Sequence, residues 1–300
     1  PCNLYKFHRP RLNLKETPHP LKEESQLCLR NLAAYRPPRT KLRFPRSRCA
    51  AVLVALFVGR MGDLCVLLSR RSSTLRTYAG DTSLPGGKVD PEDRTIEDTA
   101  RREAFEEIGL PMDKSKVPLL CTLEPFLAGN AVIVTPVVVL ILDNTVRPIL
   151  NASEVTSLFS HPLLSSEPPF PNDPESIELR YHTFEEYNYH GKPPGRIRMH
   201  RFLTGREAGG VKPVFGLTAS ILIRVSTIGY AQEPEFQVSS PDQPTMEERI
   251  VYALRHDANL LEAQRQEGLD PDKVPSPASP RPVSTKPDVR KRRRRVWSRL

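Results

Sequence analysis

One segment, GGKVDPEDRTIEDTARREAFEEIGL at 86–110, constrains the fold of this chain more than any other. Its second half predicts an amphipathic helix over about 95–108, because apolar residues recur there at a helical period. The apolar stripe consists of Ile96, Ala100, Ala104 and Ile108. Thr95 is the expected N-cap and Gly109 the expected residue beyond the last turn. The segment therefore predicts a loop that leads into a helix packed against a core.

Three glutamates share one face of this predicted helix. Glu103, Glu106 and Glu107 are spaced i, i+3 and i+4, which makes them neighbours on a helical surface. Carboxylates placed so close together repel one another unless a cation lies between them. Oxygen ligands of this kind suit Mg²⁺ or Mn²⁺, and Arg102 can orient a carboxylate through paired hydrogen bonds. The face predicts a divalent metal site, with a solvated acidic helix surface as the alternative.

The rest of the chain predicts further strands and helices around this unit. Residues 48–58 and 63–69 read as two buried strands joined by a glycine-containing turn, which suits a hairpin. Further strands are expected at 117–125, 132–142 and 196–203, and helices at 25–35 and 215–230.

Proline-rich stretches indicate where the domain ends. Of the 31 prolines, 17 lie at 9–46, 162–174 and 271–287, and such clusters are typical of loops and tails. We therefore expect an N-terminal extension with a short helix, one globular domain with a surface insertion, and a C-terminal extension with one exposed helix and a disordered basic tail. The respective ranges are 1–44, 45–232 with the insertion at 165–195, and 233–300 with the helix at 244–266.

The distribution of charge indicates which partners the chain can bind, and the cysteines indicate the redox state of its compartment. The net charge is +9, but residues 286–300 alone hold eight Lys or Arg against one Asp. A nucleic-acid-binding surface needs a basic face on a folded domain, so no nucleic-acid partner is expected. No apolar run approaches the roughly 20 residues needed to cross a bilayer. The five cysteines form no CxxC pair, which favours a reducing compartment over a disulfide framework or zinc site.

Two adjoining motifs carry a resemblance to a known family. REAFEEIGL (102–110) resembles the second half of the Nudix box, REUxEExGU, where U is apolar. Immediately upstream, LLSRRSSTLRTYAGDTSLPGG (67–87) resembles the LLTxTSxxxRxxxGxxxFPGG motif of the coenzyme A diphosphatase branch. The chain departs from the Nudix box by one extra residue between Gly87 and Arg102. The intermediate acidic position of the box then falls on Asp93 or Arg94.

The resemblance implies a fold, a reaction and a cofactor. The implied fold is the Nudix fold, an α/β/α sandwich with a mixed curved sheet and a catalytic loop-helix at about 86–110. The implied reaction is metal-dependent hydrolysis of the pyrophosphate bond of coenzyme A or its derivatives to 3′,5′-ADP and 4′-phosphopantetheine or its acyl form. Glu103, Glu106 and Glu107 are then the expected ligands of Mg²⁺ or Mn²⁺, and they act with Arg102 as catalytic residues.

The loop ahead of the helix supplies the expected substrate contacts. Arginine suits bidentate contacts with phosphate, and glycine lets the backbone approach a ligand closely. The expected substrate-binding residues are Arg70, Arg71, Arg76, Gly86 and Gly87, with solvated loop charge as the alternative for the arginines. Glu154, in the segment NASEVTSLF, is a candidate general base, and an uninvolved surface carboxylate is the alternative.

Two other functions are compatible with the same helix. A diphosphatase of the nucleotide pool, acting on 8-oxo-dGTP, NADH or ADP-ribose, would use identical glutamates, and only the upstream motif favours coenzyme A. An inactive Nudix fold used as an RNA-binding module is the alternative of another class. Such modules typically lose glutamates of the box, whereas all three are present here.

The last three residues predict a cellular address. Ser298, Arg299 and Leu300 resemble the peroxisomal signal SKL, with Arg in place of Lys. We therefore expect recognition by the peroxisomal import receptor and residence in the peroxisome. Cytoplasm or nucleus are the alternatives, because KRRRR at 291–295 also resembles a nuclear localisation signal.

Overall fold

A computed structural model of the chain describes residues 13–143, 145–163 and 181–277. The basic tail with Ser298, Arg299 and Leu300 lies outside these residues, as does the proline-rich part of the predicted insertion. Within the described ranges, no helix combines the length and the apolar character needed to span a membrane.

A mixed sheet forms the centre of the protein. Its middle strand, β1 (Cys49–Val58), pairs antiparallel with β2 (Leu64–Arg71) and β4 (Gly86–Lys88) and parallel with β7 (Val132–Leu140). The pairing of β1 with β2 confirms the predicted hairpin. The remaining strands extend the sheet on both sides: β3 (Thr82–Ser83) and β8 (Val155–Pro162) pair with β2, and β5 (Leu119–Thr122) and β6 (Phe126–Ala128) pair with β7.

Helices cover both faces of this sheet. The helix α2 (Ile96–Ile108) packs on one face, where Leu53 of β1 belongs to its apolar cluster. The helices α1 (Glu23–Ala34) and α3 (Gly216–Tyr230) pack on the other face, where Val54 belongs to a second cluster. Neighbouring strand residues point to opposite faces, so β1 contributes to both clusters in alternation. The predicted α/β/α sandwich with a mixed sheet is confirmed.

The N-terminal helix is part of this core. Cys28, Leu29 and Leu32 of α1 are fully buried and lie in the same apolar cluster as Ala219 and Val225 of α3. The segment assigned to an N-terminal extension therefore helps to close one face of the sandwich.

A second, antiparallel sheet begins within the predicted surface insertion at 165–195. It consists of β9 (His182–Tyr189), β10 (Gly195–Phe202) and β11 (Val214–Phe215). Thr, Phe and Tyr in HTFEEYNY favour the pleated geometry of a strand. The predicted insertion therefore contains β9, whose residues are exposed or half-buried, and residues 164–180 lie outside the described part of the chain.

The C-terminal segment differs from the prediction of one exposed helix at 244–266. It forms two helices, α4 (Met246–His256) and α5 (Ala258–Gln266). The break falls at Asp257, whose side chain accepts hydrogen bonds from the first backbone N–H groups of α5 and caps it. Apolar side chains of both helices pack against the edge formed by β6 and β7. This cluster includes Ile133, Ile250, Val251, Leu254 and Leu260.

Candidate active site

The ends of α2 are fixed by local contacts. The Thr95 hydroxyl accepts a hydrogen bond from the Asp98 backbone N–H at 3.1 Å, and the Asp98 carboxylate accepts one from the Thr95 N–H at 3.0 Å. Gly109 ends the helix with φ of 67°, in the left-handed region that glycine adopts without strain. The predicted helix bounds and caps are confirmed, and they set the direction in which the glutamates project.

The glycine pair of β4 allows α2 to lie very close to the sheet. A Cβ atom on Gly87 would lie 2.5 Å from the carboxylate oxygens of Glu103, and one on Gly86 would lie 2.3 Å from the carbonyl oxygen of Ala51. The Gly86 N–H also donates to Glu107 Oε2 at 3.2 Å. Any side chain at these positions would displace a glutamate or the strand itself.

Two of the predicted metal ligands contact Arg102. Its Nη1 lies 2.9 Å from Glu103 Oε1 and 3.2 Å from Glu106 Oε2. Glu106 is the exposed member, with 51% of its side chain accessible, against 17% for Glu103. Arg102 therefore holds both carboxylates on the same side of the helix.

Glu107, the third predicted ligand, lies in an apolar environment that disfavours its charge. Burial raises the pKa of Glu107 to about 7, and the charges of Glu103 and Glu154 contribute to the increase. The Arg71 guanidinium and the Gly86 N–H act in the opposite direction. Arg71 acts through its charge and not through a hydrogen bond, because its Nη1 lies 3.7 Å from Glu107 Oε1.

The three glutamates have the chemistry of ligands for a divalent cation, although their carboxylates do not point to a common position. In the described parts of the chain, no three His, Cys, Asp or Glu side chains are grouped as they would be around a metal ion. Glu103 and Glu106 face Arg102, while Glu107 faces Gly86 and Arg71. A cation would favour the charged form of Glu107, which burial disfavours, and all three ligands are the hard oxygens that Mg²⁺ and Mn²⁺ prefer.

Asp93 fixes the position of Arg102. Its two oxygens accept from Arg102 Nε and Nη2, each at 3.0 Å, in a bidentate pair. Asp93 also accepts from the Thr99 hydroxyl and the Asp90 N–H, both at 2.8 Å. Burial alone would raise the pKa of Asp93, but the hydrogen bonds from Arg102, Asp90 and Thr99 hold it below its usual value. Asp93 is buried and Arg94 is exposed, so Asp93 occupies the acidic position that the sequence left undecided.

The three predicted phosphate-binding arginines lie in different places. Arg71 projects toward Glu107. A register shift in the pairing with β8 separates Arg71 from Arg70, whose guanidinium lies against Gly210. Arg76 is exposed in the loop that follows β2. Of the three, Arg71 is therefore the one beside the glutamates.

Glu154 is brought close to the glutamates by the segment that precedes β8. The Asn151 N–H donates to the Glu107 carbonyl oxygen at 3.0 Å, and the Ser72 N–H donates to the Glu154 carbonyl oxygen at 2.7 Å. The charge of Glu154 raises the pKa of both Glu103 and Glu107. Its location is compatible with the predicted role of general base, which stays a prediction.

Comparison with known proteins places the chain in a family. The NUDIX domain family model matches residues 47–203, a little more than half of the chain. The chain belongs to the Nudix family. This Nudix chain is 39% identical over 200 residues to Nudix hydrolase 15, mitochondrial, of Arabidopsis thaliana, covering 66% of this chain and 64% of the relative.

Two further relatives carry different names. Nudix hydrolase 22, chloroplastic, of Arabidopsis thaliana is 37% identical over 198 residues, which cover 66% of the Nudix chain and 60% of the relative. Peroxisomal coenzyme A diphosphatase 1, peroxisomal, of Saccharomyces cerevisiae is 33% identical over 196 residues, covering 54% and 58%. The chain spans about three fifths of the length of these relatives. Nudix hydrolases generally need a divalent metal ion such as Mg²⁺ or Mn²⁺.

Proposed function

We propose that this Nudix chain hydrolyses the pyrophosphate bond of coenzyme A or its derivatives, giving 3′,5′-ADP and 4′-phosphopantetheine or its acyl form. The observation that carries the proposal is the motif at 67–87, which leads directly into the Gly86-Gly87 pair beneath Glu103 and Glu107. The 33% identical yeast relative named as a coenzyme A diphosphatase supports the same substrate class.

The glutamates and their supports would provide the metal site. Glu103, Glu106 and Glu107 would hold Mg²⁺ or Mn²⁺, which supplies charge neutralisation on the pyrophosphate oxygens and activates water. Arg102 orients two of these carboxylates because Asp93 fixes its guanidinium from the other side.

Four other side chains have roles in the proposed reaction. Arg71 places a guanidinium beside Glu107, where it is suited to binding a substrate phosphate oxygen. Glu154, whose charge acts on the same glutamates, is our candidate for accepting the proton of the attacking water. Arg70 and Arg76 are proposed as outer contacts with a phosphate-rich ligand.

A substrate panel tests this function directly. The purified chain with Mg²⁺ or Mn²⁺ is offered coenzyme A, NADH, ADP-ribose and 8-oxo-dGTP, separately and in competition, and products are resolved by chromatography. We expect the highest kcat/KM for coenzyme A, with 3′,5′-ADP and 4′-phosphopantetheine as products. Preferential cleavage of one of the other three would establish the nucleotide-pool alternative. RNA binding that survives removal of residues 286–300, without hydrolysis of any substrate, would establish the binding-module alternative.

We also propose residence in the peroxisome, with recognition by the import receptor. The support is the Ser298-Arg299-Leu300 sequence and the compartment in the yeast relative's name, whereas the two plant relatives are named as mitochondrial and chloroplastic. A fluorescent reporter fused to residues 286–300 is expected to colocalise with a peroxisomal marker and to become diffuse when the last three residues are deleted. Diffuse or nuclear fluorescence of the intact fusion would contradict the proposal.

A further inference from the structure

The loop that leads into α2 is held from outside the matched residues 47–203. Arg46 Nη2 lies within hydrogen-bonding distance of three carbonyl groups in this loop. It is 2.6 Å from the Asp90 oxygen, 3.3 Å from the Pro91 oxygen and 2.5 Å from the Asp93 oxygen. A guanidinium presents fixed donors, so it restrains the backbone to which it binds.

Arg46 is in turn held by Glu267, which follows α5. Glu267 Oε2 accepts from the Arg46 backbone N–H at 2.6 Å. The other oxygen, Oε1, accepts from the Ser47 N–H at 2.9 Å and from the Ser47 hydroxyl at 2.7 Å. Leu260 of α5 is buried in the cluster that includes Ile133 of β7, and Ala263 of the same helix is also buried. Glu267 therefore fixes the Arg46 backbone from a helix that is itself packed on the central sheet.

Asp93 connects this contact to the glutamates. Its carbonyl oxygen accepts from Arg46, and its carboxylate pairs with Arg102. The same Arg102 contacts Glu103 and Glu106. A shift of the loop would therefore move the side chain that fixes Arg102, and through it two of the expected metal ligands.

We propose that Arg46 and Glu267 are positioning residues of the active site. They fix the loop at 90–93, so that Asp93 holds Arg102 in place and Arg102 holds the glutamates. The C-terminal helix α5 thereby becomes a support of the catalytic loop. The expected change in kcat rests on the proposed function. The expected changes in hydrogen exchange of the loop and in Mn²⁺ binding do not depend on the substrate.

A neighbouring contact provides a matched control. Arg48 Nη2 donates to Asn259 Oδ1 of α5 at 3.2 Å, so its side chain links the start of β1 to this helix, whereas Arg46 is linked to Glu267 through its backbone N–H. Within the described residues, Arg48 donates no hydrogen bond to the loop at 90–93. Arg48→Ala therefore removes a neighbouring guanidinium that binds α5, and it leaves the contacts of Arg46 with the loop and with Glu267 in place.

The experiment compares full-length Arg46→Ala, Arg46→Lys, Glu267→Gln and Arg48→Ala with wild type. Three measurements are made: amide hydrogen exchange, Mn²⁺ binding followed by electron paramagnetic resonance, and steady-state hydrolysis of coenzyme A. For Arg46→Ala we expect faster exchange confined to residues 89–95, weaker Mn²⁺ binding, and a kcat lower by roughly 10- to 100-fold with KM little changed. Arg46→Lys should be intermediate, because one ammonium restores the charge without the planar fork.

Glu267→Gln should change the same readouts in the same direction by a smaller factor, and Arg48→Ala should match wild type. Wild-type exchange at 89–95 in Arg46→Ala would overturn the proposal. So would equal effects of Arg48→Ala, or faster exchange spread over β1 and β7, because either result describes a general loss of stability. If wild type does not hydrolyse coenzyme A, the proposed function fails, while loop exchange and Mn²⁺ binding still decide the positioning role.

Discussion

Glu106→Gln and Glu107→Gln are each expected to lower the kcat for coenzyme A hydrolysis by about 10³-fold or more, because metal-assisted charge neutralisation is worth several kcal/mol. Both substitutions preserve side-chain size. Glu106 is half exposed, and a glutamine oxygen at 107 can still accept from the Gly86 N–H, so the fold should persist. Turnover by the purified variants over a range of Mg²⁺ and Mn²⁺ concentrations, together with Tm and circular dichroism, measures both effects.

The control for this prediction is Glu92→Gln, which removes one negative charge from the exposed part of the loop that precedes α2. It should retain wild-type kcat. Undiminished turnover by both box variants would refute the assignment of these glutamates as metal ligands. An equal loss in Glu92→Gln would show that general charge, rather than the helix face, is responsible.

Asp93→Asn is expected to lower both kcat and stability. The asparagine retains one acceptor oxygen but turns an N–H₂ group toward Arg102, so the bidentate pair breaks and a buried polar contact is left unsatisfied. We expect the free energy of unfolding to fall by about 1–3 kcal/mol. We expect kcat to fall by roughly 10- to 100-fold, because Arg102 no longer holds Glu103 and Glu106 in one arrangement. Urea titration and steady-state kinetics give the two quantities separately.

Arg94→Gln is the matched control for Asp93→Asn. The spacing of the box allows either Asp93 or Arg94 to occupy its acidic position. Arg94 is exposed, and its variant should be close to wild type in both measurements. If Arg94→Gln were impaired and Asp93→Asn were not, the assignment of Asp93 to that position would be wrong.

The parts of the site that were predictable from sequence depend on local signals. Thr95, Asp98 and Gly109 lie within one turn of the groups that they cap, so their residue types are enough to indicate where α2 begins and ends. The buried hairpin of β1 and β2 was predictable for the same reason, because its two strands are adjacent in sequence. The glutamates share a face because helical spacing alone puts them there.

The parts that were missed depend on contacts between distant residues. Arg46 and Glu267 are 221 positions apart, and neither lies in a motif. The choice between Asp93 and Arg94 needed the position of Arg102 in space, since both residues fit the spacing of a box with one extra residue. The break between α4 and α5 at Asp257 was readable as an N-cap, but the helical periodicity on both sides obscured it.

The two faces of the central sheet have different consequences for the order in which a nascent chain can fold. The face under α2 is covered by residues up to Leu158, all of which are synthesised before α3. The opposite face needs α3, whose Ala219 and Val225 complete its core with α1. Until Tyr230 has been synthesised, an apolar sheet surface stays open to water and to other unfinished chains, which is the condition under which aggregation competes with folding. Glu267 is synthesised later still. Its hydrogen bonds with Arg46 and Ser47, which fix the loop at 90–93, can therefore form only after the residues that cover both faces of the sheet have been made.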